Sequence, residues 1–179
     1  MSNQIGPEIP QPDYDDPKEL YAFFGLAAYC AGLLEQSLVN LVGAIYGSRI
    51  IAVQDLVVAS VFRETDGKTF GRLLHEAKQA LDLSDKTLTT LEDALRKRNY
   101  LIHEFFVEHS FKSFGDAGRR KMIDELRELA LVFKAADEIA DPLWRRAWNH
   151  LGVTREDLDA QMAKNRELAD DALSNREHR

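Results

Sequence analysis

Residues 91–106 decide the fold and hold the chain's most informative motif; they read Leu-Glu-Asp-Ala-Leu-Arg-Lys-Arg-Asn-Tyr-Leu-Ile-His-Glu-Phe-Phe. In and just before this stretch, apolar residues recur at steps of three and four, which predicts a helix with one buried face. These residues are Leu88, Leu91, Leu95, Ile102 and Phe105. Arg98 fills the one gap in the stripe. Because a buried charge is costly unless it is paired or used, this gap marks a candidate functional site.

Length and composition predict a single soluble domain. The chain has 179 residues, of which 45 % are hydrophobic, and a net charge of −7. No apolar run reaches the ~18 residues of a membrane span, and the acidic, proline-bearing start does not resemble a secretory signal. We therefore expect a cytoplasmic protein that does not enter a membrane. The single cysteine, Cys30, falls in an apolar helical segment, which favours a buried thiol in a reducing compartment.

Helical periodicity predicts an all-α fold, a bundle of five or six helices. Residues 1–17 carry four of the five prolines and are expected to form a disordered arm. Residues 18–152 are expected to form the bundle. Residues 153–179 are expected to form a charged last helix with a frayed tail.

Apolar stripes and capping residues, among them Thr69 and Ser84, set the expected helix ranges. The ranges are about 17–46, 50–63, 70–81, 84–109, 119–140, 143–151 and 154–173. Asp141-Pro142 is expected to break or kink the chain between two of them. In the first helix, Gly25, Gly32 and Gly43 should lower helix stability, and they would allow a neighbouring backbone to approach closely.

Glu35 is a candidate partner for the misplaced arginine. It is the only acidic residue between Glu19 and Asp55, and it lies beside the apolar stripe of the first helix. Two interpretations remain open. Glu35 is either a solvated residue at the flank of the helix or a supporting residue that pairs with Arg98 in the folded bundle.

The histidines do not form a metal motif. His103-Glu104 resembles the start of a His-Glu-x-x-His zinc site, but Val107 stands four residues after His103 and the next histidine, His109, comes after six. The sequence also lacks a nucleophile elbow and a dinucleotide-binding fingerprint. We therefore expect neither a metal nor a cofactor.

Arg98, Asn99 and His103 together suit metal-free cleavage of RNA. Histidine exchanges protons near neutral pH, and the forked donors of arginine stabilise charge developing on phosphate. An asparagine one helical turn before a histidine is placed to orient it. In this reaction the 2′-hydroxyl attacks the adjacent phosphate, a base removes the hydroxyl proton, and an acid protonates the leaving 5′-oxygen.

One chain does not complete such a site. Residues five apart on a helix point about 140° apart, and one chain supplies a single histidine where two proton-transfer groups are needed. A twofold homodimer across this helix would bring two copies of each group into one cleft. Residues 93–121 carry a local charge of +3, which would attract RNA, and Arg96, Lys97 and Lys112 are the predicted RNA contacts.

Residues 98–103, Arg-Asn-Tyr-Leu-Ile-His, resemble the Arg-x4–6-His signature of the HEPN superfamily, including the polar residue directly after the arginine. The long first helix, the all-α bundle and the Phe105-Phe106 pair are also similar. The resemblance implies a bundle that homodimerises and a metal-independent endoribonuclease, whose composite site takes Arg98 and His103 from both protomers. It also implies a toxin or phage-defence effector, with an antitoxin or regulatory protein as a further partner.

One position departs from the family pattern. In HEPN toxins that are controlled by a nucleotidyltransferase antitoxin, a tyrosine two residues after the histidine is the modification target. Phe105 stands there in this chain, so that mode of control is not expected. The alternative function is a catalytically inactive helical module for dimerisation or protein binding, in which Arg98 pairs with an acid such as Glu35 and His103 is an ordinary surface residue.

Overall fold

The computed structural model describes residues 7–50, 67–111 and 115–154, together with residues 156–157, 160 and 163. Over these residues the chain is all-α, as predicted, with five helices and no strand. We number them α1 (Glu19–Ile50), α2 (Phe70–Ala80), α3 (Asp85–His103), α4 (Phe105–Glu108) and α5 (Asp116–His150). The predicted helix over 50–63 and most of the predicted last helix lie outside the described residues.

The two long helices α1 and α5 form the centre of the bundle. The Ser37 hydroxyl donates to Asp137 at 2.6 Å, and the Trp148 indole N–H donates to the Asn40 carbonyl at 2.9 Å. The two helices therefore run in the same direction. Apolar side chains of α1, including the fully buried Leu34, fill the space between them. Burying each large side chain stabilises the fold by roughly 1.5–3 kcal/mol.

Local capping positions the two helices that follow. The hydroxyl of Thr69 accepts a hydrogen bond from the Arg72 N–H at the start of α2, and Ser84 caps α3 by accepting from Thr87. Both caps are predicted from the sequence and are confirmed. The predicted range of 70–81 for α2 differs from the observed one by a single residue.

The predicted end of α1 and the predicted break at Pro142 are wrong. α1 continues through Ser48 to Ile50, and the Ser48 hydroxyl donates to the Ile45 carbonyl of the preceding turn. The separate helices predicted over 119–140 and 143–151 are one helix, α5, with Pro142 inside it. Arg145 pairs with Asp141 at 2.6 Å across that proline, and the burial of the following turn against α1 holds the helix together.

Residues 7–18 lie along α5 without regular helix. Arg127 of α5 donates to the Pro10 carbonyl at 3.4 Å, and Arg120 pairs with Asp15 at 3.0 Å. The basic side chains of α5 thus hold the acidic arm. The arm predicted over 1–17 does lack a helix where it is described, but its residues make defined contacts with the bundle.

α1 also has the length and composition of a membrane-crossing helix over Glu19–Ser48. The sequence expectation counted uninterrupted apolar runs, whereas a helix that is apolar on average can cross a membrane while carrying one or two charged residues. The core helix of a soluble protein meets the same criterion. In this fold α1 buries one side against α5 and leaves another side exposed.

Glu76 of α2 is the centre of a polar cluster that joins α2 to α1. The Tyr46 hydroxyl donates to Glu76 Oε2 at 2.5 Å, Lys68 Nζ lies 2.9 Å from the same oxygen, and Arg72 Nε lies 3.2 Å from Oε1. Burial alone would raise the pKa of the Glu76 carboxyl. The three donors outweigh burial and hold that pKa at about 2.

We expect acid to destabilise the fold through Glu76. Its folded pKa of about 2 lies below the unfolded value, so the charged carboxylate stabilises the fold above pH ~4.5, and this contribution is lost as the pH falls towards 2. The contribution is on the order of 2 kcal/mol. Urea unfolding at pH 7 and pH 3 measures it. The Glu76→Gln variant should lose less stability than the wild type between the two pH values, and equal losses would contradict the assignment.

Candidate functional site

Arg98 lies at the rim of the core, where it is paired across two helices. Its Nη2 atom is 3.5 Å from Oε2 of Glu35 on α1, and the two side chains retain 27 % and 29 % exposure. Its Nη1 atom donates to Oδ1 of Asn99 at 3.4 Å. The structure thus brings Glu35 to Arg98, which is the second of the two interpretations above. Arg98 is thus a paired and partly exposed residue, so its charge does not have to be buried although it falls on the apolar stripe.

His103 is the last residue of α3, and its side chain is exposed. Over the described residues, no hydrogen bond joins it to Arg98 or to Asn99. The predicted orienting contact from Asn99 is therefore not seen, and the Asn99 side-chain oxygen accepts a hydrogen bond from Arg98. A single chain carries the arginine and the histidine on one helix without joining them.

The motif helix predicted over 84–109 is divided at Glu104, and this boundary is a correction. Glu104 has φ −122° and ψ −30°, which ends α3 directly after His103. The break turns Phe105 into the core, where it is 0 % exposed and packs edge-on against Tyr100. The apolar periodicity alone predicts one continuous helix here, and the burial of the Phe105 ring divides it in two.

Behind the break lies a polar cluster that the sequence did not reveal. His109 is 4 % exposed, and its Nε2 atom lies 2.9 Å from Glu125 and 3.1 Å from the Tyr100 hydroxyl. Tyr100 donates to Glu125 at 2.6 Å. Burial, and next this bond, raise the pKa of Tyr100, so its hydroxyl stays a neutral donor. His109 follows the buried Phe105 by four residues, which places both on one face of a helix. This spacing was the one signal in the sequence for the burial of His109.

The predicted RNA contacts are only partly available. Arg96 and Lys97 both pair with Asp93, at 3.1 Å and 2.9 Å. Hydrogen bonds, first from Lys97 and then from Arg96, lower the pKa of the Asp93 carboxyl. These ion pairs are exposed and therefore weak, so Asp93 competes only weakly with other anions for the two basic side chains. Lys112 lies outside the described residues.

In the part of the chain that the structure describes, no three His, Cys, Asp or Glu side chains are grouped closely enough to hold a metal ion. His109 and Glu125 come together with the Tyr100 hydroxyl, whose raised pKa keeps it in a neutral state. The cluster therefore has the composition of an internal hydrogen-bond network.

Comparison with known proteins adds no relative. No protein-family model matches the chain, and no curated protein or solved structure is detectably similar to it. The function therefore has to be inferred from the residues and their geometry.

Proposed function

We propose that the protein is a metal-independent endoribonuclease of the HEPN type, which acts as a homodimer with a composite site. One observation carries the proposal. Arg98 is held at the half-exposed rim of the bundle by Glu35, and five residues later the same helix ends on an exposed His103. A fixed cation and an exposed imidazole on one helix supply two of the groups that break a phosphodiester without a metal, and a second proton-transfer group completes the set.

Each group has a defined task in this reaction. A histidine takes the proton of the RNA 2′-hydroxyl as its oxygen attacks the adjacent phosphorus. The bond from phosphorus to the 5′-oxygen breaks, and a second proton-transfer group protonates that oxygen. Arg98 stabilises the charge that develops on the phosphoryl oxygens. The products are a 2′,3′-cyclic phosphate and a free 5′-hydroxyl.

The second proton-transfer group is the reason to propose a homodimer. Among the described residues, no second imidazole contacts the Arg98–Glu35 pair, whereas a second copy of the chain brings its own His103. Such a ribonuclease would act in the cytoplasm as a toxin or a phage-defence effector. An antitoxin or another regulatory protein would control it.

A specific observation favours a second candidate function, a non-enzymatic helical module that dimerises or binds a protein. Glu35 and Asp93 pair with Arg98, Arg96 and Lys97, and together they neutralise part of the positive charge that RNA would contact. Such a module would cleave no RNA.

Cleavage of single-stranded RNA in EDTA tests the proposed function. The purified protein should convert the RNA to fragments that end in a 2′,3′-cyclic phosphate. The same oligonucleotide with 2′-O-methyl groups should remain intact, because it lacks the attacking hydroxyl. Activity that disappears in EDTA, or cleavage of the methylated strand, would contradict this mechanism, and no cleavage of any RNA would favour the helical module.

A further inference from the structure

The segment from Tyr100 to His109 is closed on itself, and His103 lies inside it. The Tyr100 hydroxyl and Nε2 of His109 are 3.1 Å apart, although the two residues are nine positions apart in the chain. Between them α3 ends at His103 and α4 begins at Phe105. We call residues 100–109 the closed segment. The position of the His103 backbone therefore depends on what holds the two ends of this segment.

One carboxylate of α5 contacts both ends of the closed segment. The Tyr100 hydroxyl donates to Oε1 of Glu125 at 2.6 Å, and Nε2 of His109 lies 2.9 Å from Oε2 of the same side chain. A hydroxyl has a single hydrogen, and here it is directed at Glu125. Nε2 of His109 must therefore carry a hydrogen of its own to contact the two oxygens that it faces. Glu125 thus accepts a hydrogen bond from each end.

These contacts lie where water cannot easily replace a lost hydrogen bond. His109 is buried, and its ring packs edge-on against the buried Phe105 with 70° between the ring planes. Burial is the largest cause that raises the pKa of the Tyr100 hydroxyl, followed by its bond to Glu125 and by the charges of Glu125 and Glu108. The hydroxyl therefore keeps its hydrogen at neutral pH. A buried polar group that loses its partner is costly, so the contacts hold the segment closed.

Main-chain bonds carry this restraint to the break after His103. The Glu104 N–H donates to the Tyr100 carbonyl at 2.9 Å, and the Glu108 N–H donates to the Glu104 carbonyl at 2.8 Å. Glu104 is the residue next to His103, so the His103 backbone is tied towards both ends of the closed segment while its side chain stays exposed. A group that transfers protons needs such a restraint, because a misplacement of about 1 Å can slow a reaction about 100-fold.

The apolar contacts of Phe105 do not supply the same restraint. Burial of an apolar ring is non-directional, so Phe105 fixes where α4 begins but leaves the rotation of α4 about α3 open. Hydrogen bonds are directional, and the two bonds to Glu125 come from opposite ends of the closed segment. Together they set the orientation in which α3 ends. No described contact joins Glu125 to His103 itself, so its effect on His103 passes through the closed segment.

We propose that Glu125, acting through Tyr100 and His109, is a positioning residue for His103 in RNA cleavage. The carboxylate fixes both ends of the closed segment, and it thereby holds the backbone from which the His103 imidazole reaches the RNA. The proton transfer itself belongs to His103. The effect of Glu125 on the reaction rate rests on the proposed function, whereas its effect on the His103 backbone does not.

Steady-state kinetics on single-stranded RNA in EDTA test the effect on catalysis. Tyr100→Phe removes one hydroxyl and keeps the ring that packs on Phe105, so it should lower kcat by about tenfold or more and change KM by less than about twofold. Glu125→Gln keeps a hydrogen-bonding side chain of the same length and should retain more of kcat than Glu125→Ala. Glu128→Ala, at an exposed position of α5, is the matched control and should equal the wild type. A wild-type kcat in Glu125→Ala, or a loss confined to KM, would overturn the proposal.

Nitrogen-15 relaxation of the His103 amide tests the restraint without requiring activity. The order parameter should lie near the ~0.85 of rigid backbone in the wild type and in Glu128→Ala, and it should fall towards ~0.6 in Tyr100→Phe while the α1 amides keep their values. An unchanged order parameter in Tyr100→Phe would overturn the proposal, whatever the rates. A wild type that cleaves no RNA but shows this fall on substitution would remove the proposed function and keep the restraint.

Discussion

Replacement of His103 by alanine is expected to slow RNA cleavage by about 100-fold or more, because removing a positioned acid or base costs about that factor. His103 is exposed and ends α3, so its loss should not change the fold. In a twofold dimer each chain contributes the same residue, so one substitution removes the base and the acid together. The measurement is the initial rate on single-stranded RNA, with the thermal unfolding curve recorded on the same sample.

His150→Ala is the control for this prediction. His150 ends α5 just as His103 ends α3, and it is also exposed. Its ring contacts the Arg146 carbonyl of its own helix and none of the motif residues among those described, so the variant should cleave RNA at the wild-type rate. Full activity of the His103→Ala variant, or an equal loss in the two variants, would contradict the role assigned to His103.

The Phe105→Ala variant is expected to lose about 3–5 kcal/mol of unfolding free energy. Phe105 is 0 % exposed and contacts neighbouring rings, including His109 at 4.7 Å between centroids. Alanine would leave a cavity directly behind the break that ends α3. Urea denaturation followed by circular dichroism measures the loss.

The next residue provides the matched comparison. Phe106 is 39 % exposed, and it contacts Phe24 from the surface. Phe106→Ala removes the same atoms and should cost well under half as much stability, because less of the ring leaves water on folding. If the two variants were equally stable, Phe105 would not be the residue that anchors α4.

Local signals predicted α2 and the start of α3 well, and non-local packing explains what they missed. Thr69 and Ser84 cap helices through bonds to residues three positions away, which the sequence displays directly. Pro142 stays inside α5 because later turns pack on α1, about 100 residues earlier in the chain. No window of sequence contains that information.

The candidate site shows the same division. The spacing of Arg98 and His103 stands in the sequence itself, whereas the pairing of Arg98 with Glu35 was one of two open interpretations until the fold decided between them. The break at Glu104 could not, because it depends on where Phe105 finds room in the core. The cluster of His109 with Glu125 was missed because its two halves lie on different elements of the fold.

During synthesis, α1 is made long before α5, the helix on which it packs. The bond from Ser37 to Asp137 spans 100 residues, so α1 leaves the ribosome long before its core partner is made. At typical translation rates this interval lasts roughly 5–20 s. During that time the apolar side of α1, with its 15 uncharged residues from Leu20 to Leu34, lacks the core partner on which it packs. The nascent chain should therefore be a client of ribosome-associated chaperones until α5 emerges.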